Sequence, residues 1–202
     1  LSKADISHAE GIANAAEEPL RILVLGRSNA GKSSLINALF GELTTATDVL
    51  PDTTQNLEPF VLSREGLTQA LIFDSPGCDS SFFDAKQLLA AAENADLILW
   101  VSSVNRPDRQ IERDFLDALR AVQSAQMDRR PPPLLIVASF IDQLRPVNEW
   151  RPPYDLTDRL NIKATNINAA VRAIAADLMV PVEWVIPVCL LAGKIYNVDD
   201  SL

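Results

Sequence analysis

Eight residues constrain this chain more than any other stretch: Gly26-Arg27-Ser28-Asn29-Ala30-Gly31-Lys32-Ser33 matches G-x-x-x-x-G-K-[ST] in full. Before them, Leu20–Leu25 (LRILVL) is a continuous apolar run of strand length, the pattern of a strand buried on both faces of a parallel sheet. After them, residues 32–41 (KSSLINALFG) read as a helix closed by Gly41. A strand, a glycine-bearing turn and a helix in this order build an anion nest. The backbone curls so that the N–H groups of Asn29, Ala30, Gly31, Lys32, Ser33 and Ser34 face inward, and the positive helix end adds to the field. Lys32 would reach the outer phosphates of a bound nucleotide, and Ser33 would offer its hydroxyl to Mg2+.

The remaining elements alternate. A marginal helix over 4–18 is closed by Pro19, and residues 42–56 read as a loop rich in Thr, Asp and Pro. Strands are expected at 57–64 and 67–73 with a turn at Glu65–Gly66, then a helix at 86–94 and a buried strand at Asp96–Val104. A helix follows at 108–126, with Ile111, Phe115, Leu116, Leu119 and Val122 near a 3.6 period. Leu134–Ser139 is a fifth strand, 162–178 a helix and Glu183–Leu190 a last strand. Strands alternating with helices imply right-handed crossovers. The fold class is therefore α/β: a three-layer fold with a mostly parallel six-stranded sheet, one antiparallel strand and helices on both faces. Residues 1–19 read as an N-terminal helical extension, and 20–202 as one domain whose closing helix is to be sought beyond the sequence. Leu1 in place of methionine suggests a fragment.

Asp74-Ser75-Pro76-Gly77 sits directly after the strand at 67–73. An acid at that strand end can hold Mg2+ through water opposite Ser33, and the Gly77 N–H can meet a terminal phosphate. Plain turn chemistry is the blander reading of Asp74. Thr53 and Thr54 lie in the loop where a segment would close over the metal and the terminal phosphate, and hydrolysis would release it.

GRSNAGKSS, PDTTQN, DSPG and ADLILWV, in this order, resemble the P-loop GTPase superfamily and within it the Era/TrmE-like bacterial branch. The segment SFIDQLRP…EWRPPYDL is similar to YfjP-like bacterial GTPases. The resemblance covers roughly residues 20–190 and implies a P-loop NTPase fold, GTP/GDP binding with Mg2+ and hydrolysis of GTP. PDTTQN is similar to the branch's P-G-x-T-R-D pattern, which makes Thr54 the metal-binding threonine and, with Lys32 and Gly77, part of the implied catalytic set.

The base-reading pattern departs from the family. Where N/T-K-x-D is usual, this chain has Ser139-Phe140-Ile141-Asp142. The Asp142 carboxylate can accept two N–H bonds from a guanine edge, a contact that discriminates bases by about 1–3 kcal/mol. Its bland alternative is a turn cap. Phe140 can stack on the base in place of the lysine stem. Pro187-Val188-Cys189-Leu190 falls where the family places a small loop under the base; the blander reading of Cys189, and the favoured one, is a buried strand residue.

The position after DSPG, a glutamine in Ras-like proteins, is Cys78, a poor group for orienting water. Help with hydrolysis would come either from K+ held by Asn29 or from an arginine supplied in trans; Asn29 otherwise simply shapes the loop. Arg27 within the loop reads as facing solvent. Turnover in isolation is expected to be slow.

Of the 202 residues, 18 are basic and 27 acidic, for a net charge of −9. That balance repels phosphate backbones and anionic lipid, so direct nucleic-acid binding is not expected, and membrane or other partners would act through regions outside this chain. A homodimer through the switch face is implied by the resemblance. His8 is the sole histidine, which removes histidine triads and histidine-rich metal sites. With neither a signal peptide nor a long apolar span, a cytoplasmic location is expected. Trp100 reads as core, and Trp150 as part of a Pro-rich inserted loop. Two rivals stay open: a P-loop kinase, for which no arginine-rich lid is evident, and a non-hydrolysing nucleotide-binding module.

Overall fold

The computed structural model describes residues 18–40, 57–62, 69–125 and 130–198. Apart from Glu18, the N-terminal helix expected at 4–18 lies outside the described residues, as do the loop at 42–56 with Thr53 and Thr54 and the turn at Glu65–Gly66. The elements are β1 (Leu20–Gly26), α1 (Lys32–Phe40), β2 (Glu58–Leu62), β3 (Ala70–Asp74), α2 (Ala85–Glu93), β4 (Leu97–Ser103), α3 (Gln110–Ala125), β5 (Leu134–Ser139), α4 (Ile162–Leu178) and β6 (Val185–Pro187). Single 3-10 turns occupy Ile141–Gln143 and Val182–Trp184.

The six strands run in the order β2-β3-β1-β4-β5-β6. All neighbours are parallel except β2, which is antiparallel to β3. Alternation along the strands feeds two cores. Leu23, Leu25, Ile98 and Trp100 face α2, α3 and α4, whereas Val24, Ile72, Leu99 and Val101 face α1 with Leu35 and Ile36. Burial on both faces is why these strands read as unbroken apolar runs. Because β1 has parallel neighbours reached by crossovers in opposite directions, the sheet leaves a crevice at the β1 carboxyl end, where open α/β sheets bind ligands.

Three expectations need correction. The last strand is only Val185–Pro187, since Val182–Trp184 form a 3-10 turn behind Pro181. In α3, Ile111 is 38% exposed and Glu112 turns inward instead, accepting from Ser102 Oγ at 2.8 Å and Trp100 Nε1 at 3.4 Å. Hydrogen bonds offset the burial of that carboxylate, so a polar residue took a position that apolar periodicity assigned elsewhere. Arg27 does not face open solvent; it is engaged by Asp79, as described below. Trp100 is fully buried, as expected of core. None of the described helices is long and apolar enough to cross a membrane.

Candidate nucleotide site

The loop from Gly26 to Ser33 leaves the buried end of β1 and enters α1. Gly26 has φ 145°, and a Cβ there would stand 2.3 Å from the Val101 carbonyl oxygen, so the loop's close start against β4 requires glycine. Asn29 adopts φ 58° and is exposed at the rim of the loop. Lys32, 8% exposed, donates to the Arg27 carbonyl at 3.0 Å and so arches back over the loop it follows. Ala30 is buried beneath the turn, while Ser34 stands in the first turn of α1.

Ser33 Oγ donates to Asp74 Oδ2 at 3.1 Å, across the gap between α1 and the end of β3. Asp74 is 3% exposed; its other oxygen accepts from the Ser75 N–H at 2.9 Å, and Ser75 Oγ donates to the Val24 carbonyl at 2.8 Å. These bonds hold the strand end so that two hard oxygens converge. Such a pair suits Mg2+, which prefers oxygen donors close together in octahedral geometry.

The loop after Asp74 packs directly on the phosphate loop. A Cβ at Gly77 would lie 2.2 Å from Ser28 Oγ and 2.4 Å from Ser28 N. The Cys78 N–H donates to the Gly26 carbonyl at 3.1 Å. Asp79 was not singled out by motif, yet it fastens this contact. Its carboxylate accepts from the Ser28 N–H at 2.6 Å and from Arg27 Nε at 3.0 Å, with Arg106 Nη1 at 3.7 Å. Arg27 Nη1 also donates to the Asp108 carbonyl at 3.0 Å. Partial burial acts to raise the Asp79 pKa, but the hydrogen bonds from Ser28 and Arg27 prevail and hold it below the ordinary value. Burial, then the nearby Asp79 and Glu112 charges, push the Cys78 thiol up to about 12. A protonated, buried thiol is neither a base nor a good orienter of water.

The loop from Ser139 to Asp142 leaves β5 beside the same crevice. Ser139, fully buried, donates from Oγ to the Ala30 carbonyl at 2.6 Å. That bond ties the loop to the phosphate loop. Phe140 adopts φ 64°, and a Cβ at Gly31 would stand 3.8 Å from its ring. This strained backbone turns the chain so that Ile141 is buried while Asp142 stays partly exposed. Cys189 is fully buried, and its thiol is pushed up to about 11, first by burial and further by the charge and hydrogen bond of Asp142. The structure therefore brings Ser139, Phe140, Asp142 and Cys189 together next to the loop at 26–33. Thr54 lies outside the described residues.

The Pro-rich insertion is packed. Trp150, Tyr154 and Tyr196 meet edge to face with ring centres 5.6–6.1 Å apart. Tyr154 Oη accepts from the Arg151 N–H at 2.8 Å.

The phosphate loop, the acid-bearing strand end and the Ser139–Asp142 loop lie at the carboxyl ends of β1, β3 and β5, the arrangement of a P-loop GTPase domain. Residues 21–138 match the family described as 50S ribosome-binding GTPase, and the chain belongs to that family. It is 30% identical over 146 residues to GTPase Era of Clostridioides difficile, covering 70% of this chain and 46% of that protein. GTPase Der of Synechocystis sp. is 30% identical over 118 residues (54% of this chain, 25% of Der), and the tRNA modification GTPase MnmE of Thermotoga sp. is 27% identical over 154 (71% and 31%). The chain spans about half the length of the Era proteins it matches. Among solved structures, Era in complex with MgGDPNP and nucleotides 1506-1542 of 16S ribosomal RNA shares the fold with a TM-score of 0.57 at 17% identity, covering 88% of this chain and 53% of Era. A GTP-binding protein engB shares it at 0.55 and 17% identity, covering 89% of this chain and 92% of engB. These relatives support the Era/TrmE-like branch; the narrower likeness to YfjP-like GTPases rests on the segment after Ser139.

Proposed function

We propose that this domain binds GTP and GDP in the crevice above β1 and hydrolyses GTP slowly, as a switch. The observation that carries the reading is the Ser139 hydroxyl on the Ala30 carbonyl at 2.6 Å, which fixes the base-reading loop to the phosphate loop. In this reading the amides from Asn29 to Ser34 receive the inner phosphates, Lys32 neutralises the outer ones, and the Gly77 N–H meets the γ-phosphate. Asp142 accepts from the guanine edge, with Phe140 and Cys189 shaping its surroundings. Ser33 and Asp74, with Thr54 from the loop, would hold Mg2+, which supplies charge neutralisation at the phosphate oxygens when bound.

Cys78 supplies no catalytic group, so unaided hydrolysis is expected on the order of 10⁻⁴–10⁻² per second. Asn29, exposed at the rim with a left-handed backbone, would offer its side-chain oxygen to K+ beside the phosphates. A homodimer through the switch face, or a partner's arginine, is the alternative source of charge. The net charge of −9 argues that this domain does not itself grip RNA.

Calorimetric titration of the chain with GDP and ADP in Mg2+ tests the reading. GDP bound at least tenfold more tightly than ADP supports it; equal affinities, or binding of neither, overturn it.

A further inference from the structure

Among the described residues, Arg109 and Lys163 are buried cations that the nucleotide site does not use, and Arg109 is paired with Asp177 at 2.9 Å. Lys163 lies in the first turn of α4 and is 1% exposed. A helix N-terminus is an unfavourable place for a positive charge, and burial of an ammonium is costly unless it is well partnered. Lys163 is well partnered, and by a single loop. Its Nζ donates to the carbonyls of Asp142 at 2.7 Å, Leu144 and Pro146 at 3.4 Å. The ammonium also stands 5.8 Å from the centre of the Trp150 ring, a cation–π contact. One turn along α4, Asn166 Nδ2 donates to the Arg145 carbonyl at 2.7 Å. Four of the five carbonyls from Asp142 to Pro146 are thus held from α4.

This loop carries the departure from the family's base-reading pattern. With Phe140 in place of the usual lysine, the Ser139–Asp142 segment has no cation of its own. Its backbone is nonetheless converged onto one from outside, and the aromatic cluster of Trp150, Tyr154 and Tyr196 closes over that point. Asp142 faces two ways. Its carbonyl goes to Lys163, and its carboxylate goes to the side where Cys189 lies.

We propose that Lys163 is a positioning residue for guanine recognition: by gathering the carbonyls of Asp142, Leu144 and Pro146, it fixes the backbone that aims the Asp142 carboxylate at the base. The proposal rests on the guanine-nucleotide reading above. A bidentate contact depends on both oxygens meeting both N–H groups, so a loosened loop loses discrimination before it loses phosphate binding.

The test uses the full chain and compares GDP with inosine diphosphate, which lacks the 2-amino group and so offers Asp142 one N–H instead of two. The unsubstituted chain is expected to prefer GDP by about tenfold or more. In Lys163→Met, which keeps length and loses the charge, that ratio falls toward one while affinity for inosine diphosphate changes less than threefold. A lysine with a merely structural role would weaken both ligands equally, and an unchanged ratio overturns the proposal. Should Lys163→Met fail to fold by circular dichroism, Lys163→Gln supplies an uncharged amide donor one bond short of Nζ and is expected to give an intermediate ratio. An unsubstituted ratio retained in Lys163→Gln also overturns the proposal. An unsubstituted chain that binds GDP no better than ADP contradicts the guanine reading itself; guanine preference unaffected by either substitution contradicts the role of Lys163 alone.

Discussion

Replacing Gly77 by alanine should separate the two loops that form the phosphate end of the site. The added methyl would meet Ser28 N at 2.4 Å and Ser28 Cα at 2.7 Å, backbone atoms that cannot swing aside. Ordinary van der Waals contact requires the loop to retreat by about 1 Å. A hydrogen bond of 3.1 Å from Cys78 N to Gly26 O does not survive that retreat, and the 2.6 Å bond from Ser28 N to the Asp79 carboxylate lengthens beyond good geometry. The first is worth about 1 kcal/mol and the charge-assisted one about 1.5–3. A destabilisation of about 2–4 kcal/mol follows, or roughly 5–15 °C in melting temperature for a chain of this size. Thermal unfolding followed by circular dichroism measures it. Gly193→Ala is the control: φ is 76° there, but nothing lies within 4 Å of a Cβ, so only backbone strain of about 1–2 kcal/mol applies. If Gly77→Ala melts within about 2 °C of the unsubstituted chain, the packing of Gly77 on Ser28 is refuted.

Two further outcomes are expected. Asp142→Asn replaces one acceptor by an N–H donor, so it should weaken GDP by about tenfold to a hundredfold and favour xanthosine diphosphate, whose ring carries an oxygen in place of the 2-amino group; competition binding checks this. Asp79 has a folded pKa below its ordinary value near 3.8, so its contribution to stability is complete above that value and disappears as pH falls through the folded pKa. The stability difference between the unsubstituted chain and Asp79→Asn should therefore be constant from pH 6 to 8 and shrink below about pH 4, as measured by urea unfolding.

The strands were legible because burial on both sheet faces leaves unbroken apolar runs, and the phosphate loop because its chemistry demands fixed residues at fixed spacing. The expected strand Glu183–Leu190 is longer than β6, because a largely apolar sequence does not reveal that Pro181 starts a 3-10 turn first. Glu112 was missed because its inward place is set by Ser102 and Trp100 on another element, a pairing that periodicity cannot express. Asp79 and Lys163 were missed for a related reason. Neither belongs to a motif, and each acts on backbone groups 51 and 17–21 residues away in sequence. A lysine in the first turn of a helix, against the dipole, was the one local signal that pointed to Lys163. Trp150 reads as part of a packed surface loop, and it packs on Tyr154, Tyr196 and Lys163.

The central claim is guanine-nucleotide hydrolysis, and phosphate release by the purified chain tests it most directly. GTP and ATP are compared in Mg2+, with K+ and then Na+ as the monovalent cation. Slow release from GTP and none from ATP is the predicted result, and stimulation by K+ over Na+ would support Asn29 as a cation ligand. Release from ATP at the rate seen with GTP, or no release from GTP under either cation, would contradict the account.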